Sequence, residues 1–189
     1  SSDLEMEYIK TKIEGVWICE PHIFDDARGY FMETWREEDF NKNIGKKITF
    51  IQDNQSKSSK GVLRGLHYQR GEFSQAKLVR VLQGEVLDVA VDLRRNSLTF
   101  GKHIAVTLNE VNNRQLFIPR GFAHGFQVLS DVAIFTYKVD NTYAPQAECS
   151  ICYNDPDLAI DWPITTPEEV LLSEKDLNKA VSFKEAVVF

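Results

Sequence analysis

The stretch GVLRGLHYQRGEFSQAKLVRVLQGEVLDVAVDL, Gly61 to Leu93, reads as buried β-strand yet carries Arg64, His67, Lys77, Arg80 and Asp88. An imidazole exchanges a proton near neutral pH. A lysine turned into an apolar interior bears a large desolvation cost unless an anion meets it. Taken alone, His67 is a core histidine satisfied by backbone hydrogen bonds, and Lys77 an outer-face residue with its head in water. A strand that carries an arginine, a histidine and glycines is poor packing material and better site material. Strict alternation puts Arg64 and His67 on opposite faces, but Gly61 and Gly65 mark places where a bulge turns both inward.

The elements that must position these groups have a period of two. In "EVLDVAVDL", Leu87, Val89, Val91 and Leu93 share one face. "KLVRVL", "HIAVTL", "RQLFIP", "FQVLS" and "VAIFTYKV" are equally short and rich in β-branched and aromatic residues, with turn signals between them. Strands recurring at about ten-residue spacing predict an all-β antiparallel sandwich or barrel, placed here at about residues 48 to 155 with flanking arms. Helical patterning is confined to "REEDFNKNIG", stopped by Gly45, and "SEKDLNKAVSF", which Ser173 is suited to cap.

At 189 residues with 43% hydrophobic content, the chain reads as one domain with a single core. A formal charge of −6 without a basic run excludes the electrostatic footprint of a nucleic-acid partner. No apolar run reaches the roughly 20 residues of a membrane helix, so a cytoplasmic location without a membrane partner is expected. "SSDLE" ahead of Met6 looks like an expression-tag remnant. "CSIC" at Cys149 to Cys152 has redox or metal spacing, but it reads as strand and lacks the second ligand pair of a zinc site, so a structural role is favoured. The "NQS" sequon at Asn54 has no meaning without a secretory route.

"IPRGFAHGFQVLS" is similar to the second cupin motif, in which a tight turn delivers a histidine, here His124, to the mouth of a barrel. Where a metal-binding cupin has His-x-His followed by Glu, this chain reads His67-Tyr68-Gln69, so no metal site is expected. "DARGYFMETW", "QDNQSKSSKGVLRGLHYQ", "QAKLVRVLQGEVLDVAVDLRRNSLTFG", "IPRGFAHGFQVLS", "YKVDNTYAPQAE" and "NDPDLAIDWP", followed by "LLSEKD", resemble in order and spacing the dTDP-4-dehydrorhamnose 3,5-epimerase family, from about Tyr8 to Phe183. The resemblance implies a cupin-type antiparallel jelly-roll β-barrel with short flanking helices. It also implies a homodimer with an exchanged N-terminal strand, and a cofactor-free epimerase acting on a nucleotide-linked 4-keto-6-deoxyhexose.

Such chemistry needs a base for a C–H beside a ketone, a cation or donor at the ketone oxygen, and an acid on the opposite face. By resemblance His67 is the base, Asp176 its orienting partner, Lys77 the cation at the keto oxygen and Tyr137 the proton donor. An imidazole with an ordinary pKa of about 6.5 accepts a proton at neutral pH, and a phenol near 10 still holds one to give. Arg64 and His124 match phosphate or sugar contacts, and Tyr143 the aromatic that packs on sugar or nucleotide. Gln52, Asn54, Glu148 and Lys175 match further substrate contacts, and Arg28 and Glu33 match nucleotide contacts supplied by a neighbouring subunit. A single-centre epimerase, a GDP-sugar 3,5-epimerase and a non-catalytic cupin binding module stay open as alternatives. No motif separates thymine from guanine.

Overall fold

The computed structural model describes residues 6–189, so the "SSDLE" segment lies outside the described residues. The strands are β1 (Glu7–Lys10), β2 (Trp17–Glu20), β3 (Phe24–Asp26), β4 (Gly29–Phe31), β5 (Gln52–Ser59), β6 (Leu63–Gln69), β7 (Lys77–Gln83), β8 (Glu85–Asp92), β9 (His103–Asn109), β10 (Gln115–Ile118), β11 (Phe122–Val128), β12 (Val132–Val139) and β13 (Glu148–Ser150). A six-stranded sheet, β1-β2-β10-β7-β12-β5, faces a five-stranded one, β13-β6-β11-β8-β9. The expected jelly-roll architecture is therefore present as two facing antiparallel sheets, and their ladders do not close into a continuous barrel.

Alternation explains the core. Val79 and Val81 of β7, Leu116 and Ile118 of β10, and Ala133 and Phe135 of β12 point inward. They meet Val86 and Ala90 of β8, Ile104, Val106 and Leu108 of β9, and Phe126 and Val128 of β11. Leu87, Val89 and Val91 form the other face of β8, and with Leu93 just beyond it they too are covered, by Ile151, Leu158, Trp162 and C-terminal residues to Phe189. Burial on both faces gives β8 the apolar run Val86, Leu87, Val89, Ala90 and Val91, interrupted by the buried carboxylates Asp88 and Asp92.

The arms are more integral than a barrel at about 48 to 155 implies. β1 pairs with β2, and β2 adds to β10 of the same chain, so the N-terminal strands extend the six-stranded sheet. Helix α1 (Glu37–Ile44) ends at Gly45 in the left-handed region, as the Gly stop predicts. It buries Phe40 and Ile44 against Cys19, Leu78 and Phe117 on the outer face of that sheet. Helix α2 (Glu174–Asn178) begins at Ser173, whose Oγ accepts from the Asp176 N–H at 3.1 Å. No helix among the described residues is long and apolar enough to cross a membrane.

Candidate active site

At one end of the space between the sheets the apolar filling gives way to a pocket of about 430 Å³. The first wall is β6 and β11. His67 pairs with His124 and Arg64 with Phe126, so Gly65 and Leu66 together oppose Gly125 alone. This extra residue is the bulge that the glycines foretell, and it brings both Arg64 and His67 to the pocket. Glycine is required there: a Cβ on Gly65, at φ +135°, would lie 2.5 Å from the Gly125 Cα.

His67 Nε2 lies 2.6 Å from Asp176 Oδ1. The carboxylate is carried by α2, and the chain leading into that helix is tied to β6 through the Leu63 N–H donating to the Leu171 carbonyl at 3.0 Å. Burial pushes the Asp176 carboxyl up, but bonding to His67 and its charge, with help from the Gly65 N–H and Ser173, hold it below the usual carboxylate value. Asp176 thus arrives as an anion that fixes the imidazole orientation.

The opposite wall is the six-stranded sheet. Lys77 heads β7, and Tyr137 lies on the adjacent strand β12; both line the pocket, with the Lys77 Nζ 5.6 Å from the Tyr137 ring centroid. Neither the Lys77 ammonium nor the Tyr137 hydroxyl has a hydrogen bond to any described residue. Burial pulls Lys77 down to about 8, while the Asp88 and Glu148 carboxylates act to raise it.

His124, expected to contact phosphate or sugar, stands on β11. It lines the pocket, but it is only 7% exposed and its Nε2 lies 2.6 Å from Asp88 Oδ1. Burial pushes His124 down and Asp88 up, and each pulls the other back toward its charged form. Asp88 was not among the expected site residues. Its signal was a carboxylate at an inward position of an apolar strand, which must be paired to be tolerated.

A second cluster lies beside α2. Tyr143 donates to Glu148 Oε2 at 3.1 Å, and Lys175 forms an ion pair with the same oxygen. Burial pushes Glu148 up, but hydrogen bonds from Lys175 and Tyr143 and the nearby positive charges hold it down. These three tie β13 to the helix that carries Asp176 and do not line the pocket itself. Gln52 and Asn54 bond to each other at 2.8 Å on the edge strand β5, whose Ser56 reaches the pocket. Arg28 pairs with Asp26 at 2.7 Å in the β3–β4 hairpin, and Glu33 with Arg36 at 2.9 Å. Neither Arg28 nor Glu33 lines this pocket. Cys149 and Cys152 are free thiols directed at the backbone carbonyls of Ala147 and Ala180, both at 3.6 Å.

The family model for dTDP-4-dehydrorhamnose 3,5-epimerase matches residues 10–185. The chain is 54% identical over 171 residues to the dTDP-4-dehydrorhamnose 3,5-epimerase of Escherichia coli (strain K12), covering 90% of this chain and 91% of that protein. Its fold superposes on the crystal structure of dTDP-4-dehydrorhamnose 3,5-epimerase from Elizabethkingia anophelis NUHP1 with a TM-score of 0.90, at 52% identity, covering 95% of this chain and 97% of that one. It is also similar to the dTDP-6-deoxy-D-glucose-3,5-epimerase of Legionella pneumophila Philadelphia 1, solved in complex with dTDP-4-keto-L-rhamnose, with a TM-score of 0.89 and 50% identity over 94% of this chain and 93% of that one.

Proposed function

Since the chain belongs to the dTDP-4-dehydrorhamnose 3,5-epimerase family, we propose that it inverts carbons 3 and 5 of dTDP-4-dehydro-6-deoxyglucose to give dTDP-4-dehydrorhamnose. The observation that carries this reading is the pocket's two-sided chemistry. A carboxylate-backed imidazole stands on one sheet, and a cation and a phenol with unoccupied donors stand on the sheet facing it.

Carbons 3 and 5 both flank the C4 ketone, so one mechanism serves both. His67 removes the proton from the carbon, and the C–H electron pair moves into the enolate with its charge on O4. Lys77 donates to that oxygen as charge develops, which stabilises the transition state more than the ground state. Tyr137 then delivers its proton to the opposite face, the carbonyl reforms, and the centre is inverted with no net redox change. Asp176 keeps the His67 ring aligned and stabilises its imidazolium. Arg64, with a planar guanidinium exposed at the pocket, suits a phosphate oxygen. Gln52, Asn54, Tyr143, Glu148 and Lys175 complete the mouth where the nucleotide lies, and His124 acts at the floor.

We further propose a homodimer in which Arg28 and Glu33 reach the neighbour's nucleotide. The supporting feature is the β3–β4 hairpin, which pairs with no other strand among the described residues and exposes Tyr30 at 62% and Phe31 at 65%. Proton NMR of the reaction in heavy water tests the catalytic reading. Wild-type protein is expected to place deuterium at both C3 and C5, and His67→Asn to abolish both exchange and inversion. Deuterium at one carbon only, or full activity of His67→Asn, overturns it.

A further inference from the structure

The mechanism above leaves one buried carboxylate unused. Asp88 on β8 is 0% exposed; His124 holds its Oδ1, while its Oδ2 is buried with no hydrogen-bond partner among the described residues. A carboxylate left half-satisfied in an interior needs a compensating charge. Among the charged groups nearby, His67 is engaged by Asp176, and Arg64 directs its Nε to Ser58 Oγ at 3.1 Å. Lys175 is paired with Glu148. Lys77, from the facing sheet, makes no ion pair with any described residue. Asp88 and Lys77 are thus two opposite charges in one interior that do not touch, and each acts on the titration of the other.

We propose that Asp88 is the positioning counter-charge of Lys77 and that His124 holds the two apart. This rests on the reading of Lys77 as the donor at the keto oxygen. A direct Asp–Lys bridge would occupy the ammonium donors, and no counter-charge at all would leave burial free to strip the proton. Held by His124, the Asp88 carboxylate keeps Lys77 charged while leaving its N–H groups for the substrate. The other titratable or charged groups around Lys77 are Arg64 and His67 on β6, His124 on β11, Tyr137 on β12 and Asp176 on α2, with Glu148 on β13. Of these Glu148 adds a weaker pull in the same direction, and it is itself neutralised by Lys175.

The dependence of kcat/KM on pH separates this from a packing role. Wild-type protein is expected to lose activity with an alkaline limb near pH 8, as Lys77 deprotonates. Asp88→Asn, which preserves shape and the bond to His124, should move that limb down by about one pH unit. His124→Phe frees the carboxylate to turn onto Lys77, so the limb should move up, while kcat falls about tenfold or more as the donors become occupied. Opposite shifts support the proposal; an unmoved limb in folded Asp88→Asn, or shifts of the same sign, overturns it. If only one variant folds, the sign of its shift decides. If neither folds, carbon NMR of the wild-type carboxyl decides, since an Asp88 side chain protonated at neutral pH overturns the proposal. A wild-type protein inactive on the 4-keto sugar would sink the epimerase reading, whereas a limb indifferent to Asp88 sinks only this inference.

Discussion

Tyr137, the proposed proton donor, has its ring between Phe135, at 5.9 Å between centroids, and the Lys77 ammonium, and its hydroxyl bonds to no described residue. The ring is only half-buried, which leaves the O–H open to the pocket that it lines. Tyr137→Phe keeps the ring and removes only the proton. His67 can still form the enolate and return deuterium to the face it came from, so exchange in heavy water should continue while inversion falls by about 10²–10⁴-fold. Inversion of both centres at the wild-type rate would make Tyr137 a packing residue. The pairing of outcomes matters more than either alone, because a general loss of structure would suppress exchange and inversion together.

The bulged strand β6 and the short helix α2 bring the first wall together, and each can be disturbed without touching a reacting group. Gly65→Ala forces a methyl against the Gly125 Cα and strains a positive φ. It should cost about 2 kcal/mol or more and lower the melting temperature by roughly 4–8 °C; an unchanged melting temperature would mean that the bulge accommodates a side chain. Helix α2 is anchored by Asp176 to His67 and by Lys175 to Glu148, and both carboxylates titrate below their ordinary values. A carboxylate depressed in the folded state contributes stability above its unfolded value, of about 4, and loses it as pH falls through the lower folded value. Hydrogen exchange across residues 173–179 should therefore stay slow at about pH 5 and quicken below about pH 4; protection that persists to lower pH would place the anchoring elsewhere. The strands, the bulge glycines and the Ser173 cap were legible because each rests on local pattern. The contact between His67 and Asp176 spans 109 positions, so no local pattern reveals it; it entered through family resemblance and needed the fold to become a geometry. The His124–Asp88 pair was hidden for a similar reason, since spacing along two strands does not say that they lie side by side.

At the scale of the whole molecule, the single chain presents a pocket between its two sheets and a hairpin that leaves Tyr30 and Phe31 largely exposed. β1 and β2 complete the chain's own sheet, whereas the N-terminal segment expected to be exchanged, the one that carries Arg28, is the β3–β4 hairpin, whose strands pair with each other. Exposed aromatics on a two-stranded arm are poorly stabilised in isolation, and burying them against a second copy would carry Arg28 and Glu33 with them. If the assembly is an isologous pair, each site takes His67 from one subunit and Arg28 from the other. Arg28→Ala and His67→Ala should then each be inactive alone. In a mixed dimer one site collects both substitutions and the other collects neither. Random exchange of equal amounts makes half the dimers mixed, each with one intact site of two, so activity should return to about one quarter of wild type. Exchange verified by mass spectrometry with no return of activity would place Arg28 in its own chain's site or in none.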